Sequence, residues 1–308
     1  MQYAKPALTF DEQVTLLAAR GLIIEDRAAA AEILSRISYY RLSAYWHPYK
    51  RADDSLKPDA SFAAAVQLYE FDRHLRLQVM DAIERVEVAL RTAITYHLSQ
   101  AFGPFAHCDP AHFRHTFKQS EWLAKVRQEA ENSREIFVAH FRDRYDEFPD
   151  LPLWMATEIL PFGALSRLYE GMLPDQQRPV AAEYGVHHAV LRSWLRTLNY
   201  IRNLCAHHAR LWNRELAVGP ESPRHNARWL PPITPTNRRV FIVLLMLRQM
   251  MARQHEGQHW QQRVTRLITS ANLNSAAQHA MGLPTTWLSH PLWDRVVPEN
   301  HRGSEPVS

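Results

Sequence analysis

Between Phe62 and Gln100 the apolar residues Leu68, Phe71, Leu75, Val79, Ile83, Val86, Leu90 and Ile94 recur every three or four positions. That spacing predicts a long amphipathic helix. Its polar side carries Glu84, Arg85, Glu87 and Arg91, with Glu87 four residues ahead of Arg91, the order that favours a structural ion pair. Upstream, Thr9-Phe10-Asp11-Glu12 has the form of a capping box, and Gly21 stops the helix that it opens. Asp26 caps a second helix through Ile33, Leu34 and Ile37. Ser38 to Tyr49 then gathers four tyrosines and one tryptophan before the chain moves on. This aromatic cluster is read as a packing corner, with a stacking platform for bases as the alternative.

Further helices are expected from about Glu121 to Arg144 and from Trp154 to Tyr169, the latter broken at Pro161-Phe162-Gly163. The prolines between Val218 and Pro235 require a non-helical excursion, and helices near 237–253 and 260–270 close the chain. The apolar run Val240 to Leu247 is far shorter than the roughly 20 residues of a membrane helix, so it reads as a buried helix. No internal repeat and no linker divides the sequence. A single domain over residues 1–298 is expected, with residues 299–308 as a disordered tail.

Composition sharpens this to an all-α fold. Only 9 of 308 residues are glycine, which argues against a Gly-rich phosphate loop, a dinucleotide fingerprint or an all-β fold. Two cysteines, Cys108 and Cys205, cannot make a disulfide framework, and the start lacks the apolar core of a signal peptide. A cytoplasmic protein is the expectation. His107, Cys108 and Asp109 stand together in a loop, but no second ligand pair lies at a zinc-like spacing, so no metal or other cofactor is expected.

The net charge of +4 conceals an asymmetry. Up to Tyr184 acids exceed bases by 26 to 21, whereas from Gly185 onward 15 bases face 6 acids, and all 15 are arginine. Arginine binds phosphate oxygens in pairs and stays charged. Within this half, residues 192–214 read as a motif helix running from about 187 to 215. Trp194, Leu198, Ile201, Cys205 and Trp212 fall on one face, and Arg196, Asn199, Asn203, His207, Arg210 and Arg214 on the other. A face with three guanidiniums and no carboxylate is unusual, because like charges repel at i, i+4. Either an external anion such as phosphate supplies the missing charge, or an acid from the N-terminal half does so inside the fold.

Arg202-Asn203-Leu204-Cys205-Ala206-His207 resembles the Arg, four to six residues, His motif of the HEPN superfamily, in which a polar residue follows the Arg. The wider string Arg-Asn-x-Cys-Ala-His-His-x-Arg-Leu-Trp-Asn-Arg at 202–214 resembles the abortive-infection (Abi, AbiD/AbiF-like) family of bacterial phage-defence proteins. The likeness extends to Gly21 to Ile24, Tyr39 to Trp46, Ile83 to Arg91 and Leu153 to Gly163, and so over roughly residues 8 to 270. It implies an all-α, typically dimeric protein, in many relatives a metal-independent endoribonuclease. In some relatives a small structured RNA restrains the toxin.

For this chain the resemblance implies Arg202, His207 and Asn203 as catalytic residues. RNA carries its own nucleophile, the 2′-hydroxyl. Cleavage therefore needs a base for that proton, a donor for the leaving 5′-oxygen and positive charge on the phosphorane, and leaves a 2′,3′-cyclic phosphate. An imidazole suits proton transfer near neutrality, a guanidinium suits the phosphorane, and Asn203 could orient either. Arg196, Asn199, Arg210 and Arg214 are expected to bind the RNA backbone. On an ideal helix Arg202 lies roughly 140° from His207, and one histidine serves poorly as both base and acid. A two-fold homodimer with a composite site would ease both problems. His208 falls at the edge of the apolar stripe and is read as packing, Cys205 as buried, and His187-His188 as a helix start. The alternative function is a non-catalytic RNA- or protein-binding module.

Overall fold

The computed structural model describes residues 6–294, leaving aside 54, 235–237 and 255. Among them are thirteen α-helices and no strand. They are α1 (Phe10–Ala19), α2 (Arg27–Arg36), α3 (Tyr39–Trp46), α4 (Phe62–Phe102), α5 (Gln119–Asn132), α6 (Ile136–Arg144) and α7 (Leu153–Ile159). Next come α8 (Phe162–Gly171), α9 (Pro174–Glu183), α10 (His188–Ala206), α11 (Val240–Met250), α12 (Glu256–Ser270) and α13 (Ser275–Met281). The chain forms two compact units, one of residues up to 76 with 267–272, the other of 77–266 with the residues after 272. The expected tail at 299–308 lies outside the described residues.

In the first unit local signals do what the sequence suggests. The Thr9 hydroxyl accepts from the Glu12 amide at 3.3 Å, and the Glu12 carboxylate accepts from the Thr9 amide at 2.7 Å. The bond from the Thr9 amide, joined by one that the Thr9 hydroxyl donates to the same carboxylate at 3.0 Å, holds the Glu12 carboxyl below its ordinary range. Gly21 ends α1 at φ 91°, and Asp26 caps α2 through the Ala29 amide. The aromatic cluster forms α3 and packs. Tyr45 and Trp46 are buried, the Tyr39 and Trp46 rings meet edge-on at 5.6 Å, and only Tyr40, 89% exposed, stands clear. Beneath α3 the Tyr45 hydroxyl donates to Asp72 at 2.7 Å, and Asp72 also pairs with Arg76 at 2.5 Å, all three buried.

The second unit is built around α11, every residue of which is buried, including Arg248 and Gln249. Gln249 satisfies its amide on both sides, accepting from Trp229 Nε1 at 3.0 Å and donating to the Tyr184 carbonyl at 3.2 Å. The C-terminal part of α4 is clamped to α12. Trp260 Nε1 donates to the Gln78 carbonyl at 2.7 Å, and Arg263 reaches both Gln78 Oε1 at 3.1 Å and Asp81 at 2.5 Å. Arg91 pairs with Glu87 and spans the carboxyl end of α7, donating to the carbonyls of Thr157, Glu158 and Leu160. A guanidinium there suits the negative end of the helix dipole.

Two breaks follow from local chemistry. α5 and α6 are separate because Ser133 turns extended, its hydroxyl accepting from the Glu135 amide in place of the helical ladder. Pro161 separates α7 from α8, as its missing amide requires. Helices α9 and α13 lie outside the periodic segments. Their marks are Pro174 in the first turn of α9, and the Asn274 cap and left-handed Gly282 (φ 79°) bounding α13. Among the described residues no helix is long and apolar enough to cross a membrane.

Candidate functional site

The motif begins on α10, which packs on α8 and α9 and buries Val190, Leu191, Trp194, Leu195, Leu198, Ile201 and Cys205. His187 is its N-cap, accepting weakly from the Ala189 amide at 3.3 Å, so the histidine pair marks the helix start. His188 is half-buried and its Nδ1 donates to Gln177 Oε1 at 3.1 Å, and burial lowers its pKa. Cys205 lies on the buried face. A cleft of about 760 Å³, lined by His187, Val190, Arg224 and His225 among others, opens at this N-terminal end. That is the end away from His207, and nineteen residues of helix span about 28 Å.

The other end corrects the expected motif helix of 187–215, because α10 stops at Ala206. The Ala209 amide donates to the Leu204 carbonyl at 2.9 Å and the His208 amide to the Cys205 carbonyl at 3.0 Å. With His208 at φ 56°, this is a Schellman closure. Glycine usually takes that left-handed position, since a Cβ there costs roughly 1–2 kcal/mol. Histidine is among the few other residues enriched there. No glycine marks the stop in the sequence, which is why apolar spacing alone carries the helix too far.

Beyond the closure the chain folds back. Leu211 and Trp212 are buried, so Trp212 reaches the core as expected, but by way of a loop. Arg239 anchors the loop by donating to the Asn213 carbonyl at 2.8 Å and pairing with Glu215 at 3.5 Å. Arg210 and Arg214 therefore do not extend a face of α10. Both are half-buried, and Arg214 Nε donates to the Arg210 carbonyl at 2.9 Å.

The catalytic candidates cluster at the closure. His207 is the C-cap residue, exposed, its amide donating to the Asn203 carbonyl at 3.0 Å. One turn earlier Arg202, half-buried, reaches the exposed Asn203, with Nη1 3.4 Å from Oδ1. Arg196 stands two turns further back, 3.8 Å from Glu170 of α8. Both groups are nearly half exposed, so the pair is loose and solvent-screened. An acid from elsewhere in the fold thus faces the stripe at Arg196. Asn199 is half-buried against α8. A Cβ at Gly163 would stand 3.1 Å from its Oδ1, so glycine lets the two helices approach. Asn199 is accordingly partly a helix-packing residue.

His208, read as packing at the edge of the apolar stripe, is exposed. In the His107 loop, Ala106 and His107 belong to the core. His107 is fully buried, which pushes its imidazole pKa down to about 4, and burial pushes the Cys108 thiol up to about 11. Among the described residues no group of three or more His, Cys, Asp or Glu stands close enough to hold a metal ion.

No curated protein and no solved structure matches this chain. The Abi-like protein family does match, over residues 32–213. That span takes in α3 to α10, both units' share of α4 and the closure with His207 and His208. It is more than half of the sequence, and the chain belongs to the Abi-like protein family.

Proposed function

We propose that this protein is a metal-independent endoribonuclease of the HEPN type that acts, toxin-like, in abortive-infection defence against phage. Family membership supports the setting. The observation that carries the chemistry is the exposed His207 at the end of a helix whose other face is buried, with Arg202 and Asn203 one turn before it. An imidazole there can reach the backbone of a strand too large for a closed pocket. In this reading His207 moves a proton at the 2′-oxygen, Arg202 binds the phosphorane oxygens, and Asn203 orients Arg202 through its amide oxygen. Arg196, Asn199, Arg210 and Arg214 contact the RNA backbone on either side of the closure. The product is a 2′,3′-cyclic phosphate. The active species is a homodimer, in the cytoplasm, and a small regulatory RNA is a fitting partner for the same basic surface.

Labelled single-stranded RNA incubated with the protein and EDTA tests the reading, with cyclic-phosphate ends scored on the products. His207→Ala and Arg202→Ala are each expected to slow cutting by about 10²–10⁴-fold. Cutting at the wild-type rate by either variant rejects the assignment. A wild type that binds RNA without cutting it would favour the non-catalytic binding module.

A further inference from the structure

The cleft at the N-terminal end of α10 has a wall that the fold itself holds in place. The Glu221 amide donates to Ser193 Oγ at 2.9 Å and the Glu221 carbonyl accepts from Trp194 Nε1 at 2.8 Å, which ties the returning chain to the helix. The Trp229 ring, fully buried, meets that of Trp194 at 5.2 Å and ties the chain a second time. Between these anchors the Asn226 amide donates to the Pro223 carbonyl at 3.1 Å, so Arg224 and His225 are the two central residues of a tight turn. Both are exposed. The cleft of about 760 Å³ is lined by the polar His187, Glu221, Arg224 and His225 and by the apolar Val186 and Val190, among others.

That lining selects for one kind of ligand. Its volume falls in the range of small-molecule sites and exceeds what a lone phosphate ion fills. His187 accepts from the Ala189 amide through Nδ1, so its neutral ring carries the proton on Nε2, as a donor. Two imidazoles and a guanidinium, beside the positive end of a nineteen-residue helix with no acid in its first turn, suit an anion with several acceptor oxygens. The Glu221 carboxylate needs the opposite, a donor, and ribose hydroxyls supply one. Val186 and Val190 offer apolar surface to a base. We propose that this cleft binds a nucleoside monophosphate unit, its phosphate held by His187, Arg224 and His225, its ribose by Glu221 and its base against Val186 and Val190. A free nucleotide and the 5′-terminal nucleotide of an RNA present this same chemistry. The inference does not depend on the cleavage reading, since the length of α10 separates the cleft from His207.

Calorimetric titration of the full-length protein tests the proposal with the ribonucleoside 5′-monophosphates, their nucleosides and inorganic phosphate. Short oligoribonucleotides with a 5′-phosphate or a 5′-hydroxyl are titrated into His207→Ala, which keeps the cleft and lacks the residue assigned to cutting. A monophosphate or the 5′-phosphorylated oligonucleotide is expected to bind about 10–100-fold more tightly than its phosphate-free counterpart and than inorganic phosphate. Tight binding of a free monophosphate assigns the cleft to a small molecule, and tight binding of the 5′-phosphorylated oligonucleotide alone assigns it to an RNA end. Arg224→Gln and His225→Gln should each weaken that binding about 10–100-fold while the melting temperature stays within about 2 °C, because both side chains are exposed. The proposal is overturned if no monophosphate and no oligonucleotide binds, if the nucleosides bind as tightly as the nucleotides, or if both variants bind like the wild type. Loss of the free nucleotide in His207→Ala also overturns it, because the ligand would then sit at the other end of α10.

Discussion

Helices α4 and α10 use arginine in opposite ways. On α4 the guanidiniums of Arg76, Arg85 and Arg91 each pair with an acid four residues earlier, Asp72, Asp81 and Glu87. The acid precedes the base in each pair, the favoured order, and Arg91 goes on to bridge the end of α7. α10 has no carboxylate in its nineteen residues, and Glu170, the acid that does approach Arg196, stays at 3.8 Å in solvent. The same side chain is thus a fastener on one helix and an open cation on the other. The imidazoles repeat the contrast, with His107 sealed in the core and His207 and His208 at the surface. Charge that the fold has already neutralised belongs to stability, and charge that it leaves facing water is available to a ligand.

The sharpest break of this comparison is at Asp72. Removing it by Asp72→Ala leaves the buried Arg76 without its carboxylate and the Tyr45 hydroxyl without its acceptor. A loss of about 3–5 kcal/mol is expected in denaturant unfolding. A loss under about 1 kcal/mol would place the α4 pairs with ordinary surface pairs.

His107 gives the next effect, through pH. Its folded pKa, about 4, lies below the ordinary imidazole value, so the unfolded chain binds the proton more readily. Stability is then fully present above about pH 6.5 and falls as the pH drops towards 4, by up to about 3 kcal/mol. In His107→Gln the slope of stability against pH over that window should flatten. An unchanged slope would assign it to other groups.

Arg196→Gln is expected to have the smallest effect on folding, below about 1 kcal/mol, because its pair is screened. The log-log salt slope of RNA binding should meanwhile become shallower by about 0.7, the share of one phosphate contact on a single strand. A large loss of stability with an unchanged slope would put Arg196 among the fasteners, and α10 would cease to differ from α4.

Much of this was legible from local chemistry. The capping box at Thr9, the stop at Gly21, the break at Pro161 and the Glu87–Arg91 pair each depend on residues within a few positions of one another. The candidate site was legible in part. Arg202, Asn203 and His207 could be placed because they share one turn and a motif, but Arg210 and Arg214 were drawn onto a helix that does not reach them. Apolar spacing kept pointing inward through Trp212, and it does so equally well for a helix or a buried loop. Nothing in Ala206-His207-His208 carries the usual glycine stop signal.

The sequence by itself determined the helical class, most helix starts, the buried run of α11 and the arginine-rich, acid-free character of α10, since periodicity, caps and composition are properties of neighbours along the chain. Tertiary structure decided where α10 ends, which acid faces Arg196, and that His208 is at the surface. The surroundings of α10 depend on partners far away in the chain: α8 brings Glu170 and Gly163 up to it, and Arg239 holds the returning loop. Distance along the chain conceals such partners until the fold brings them together.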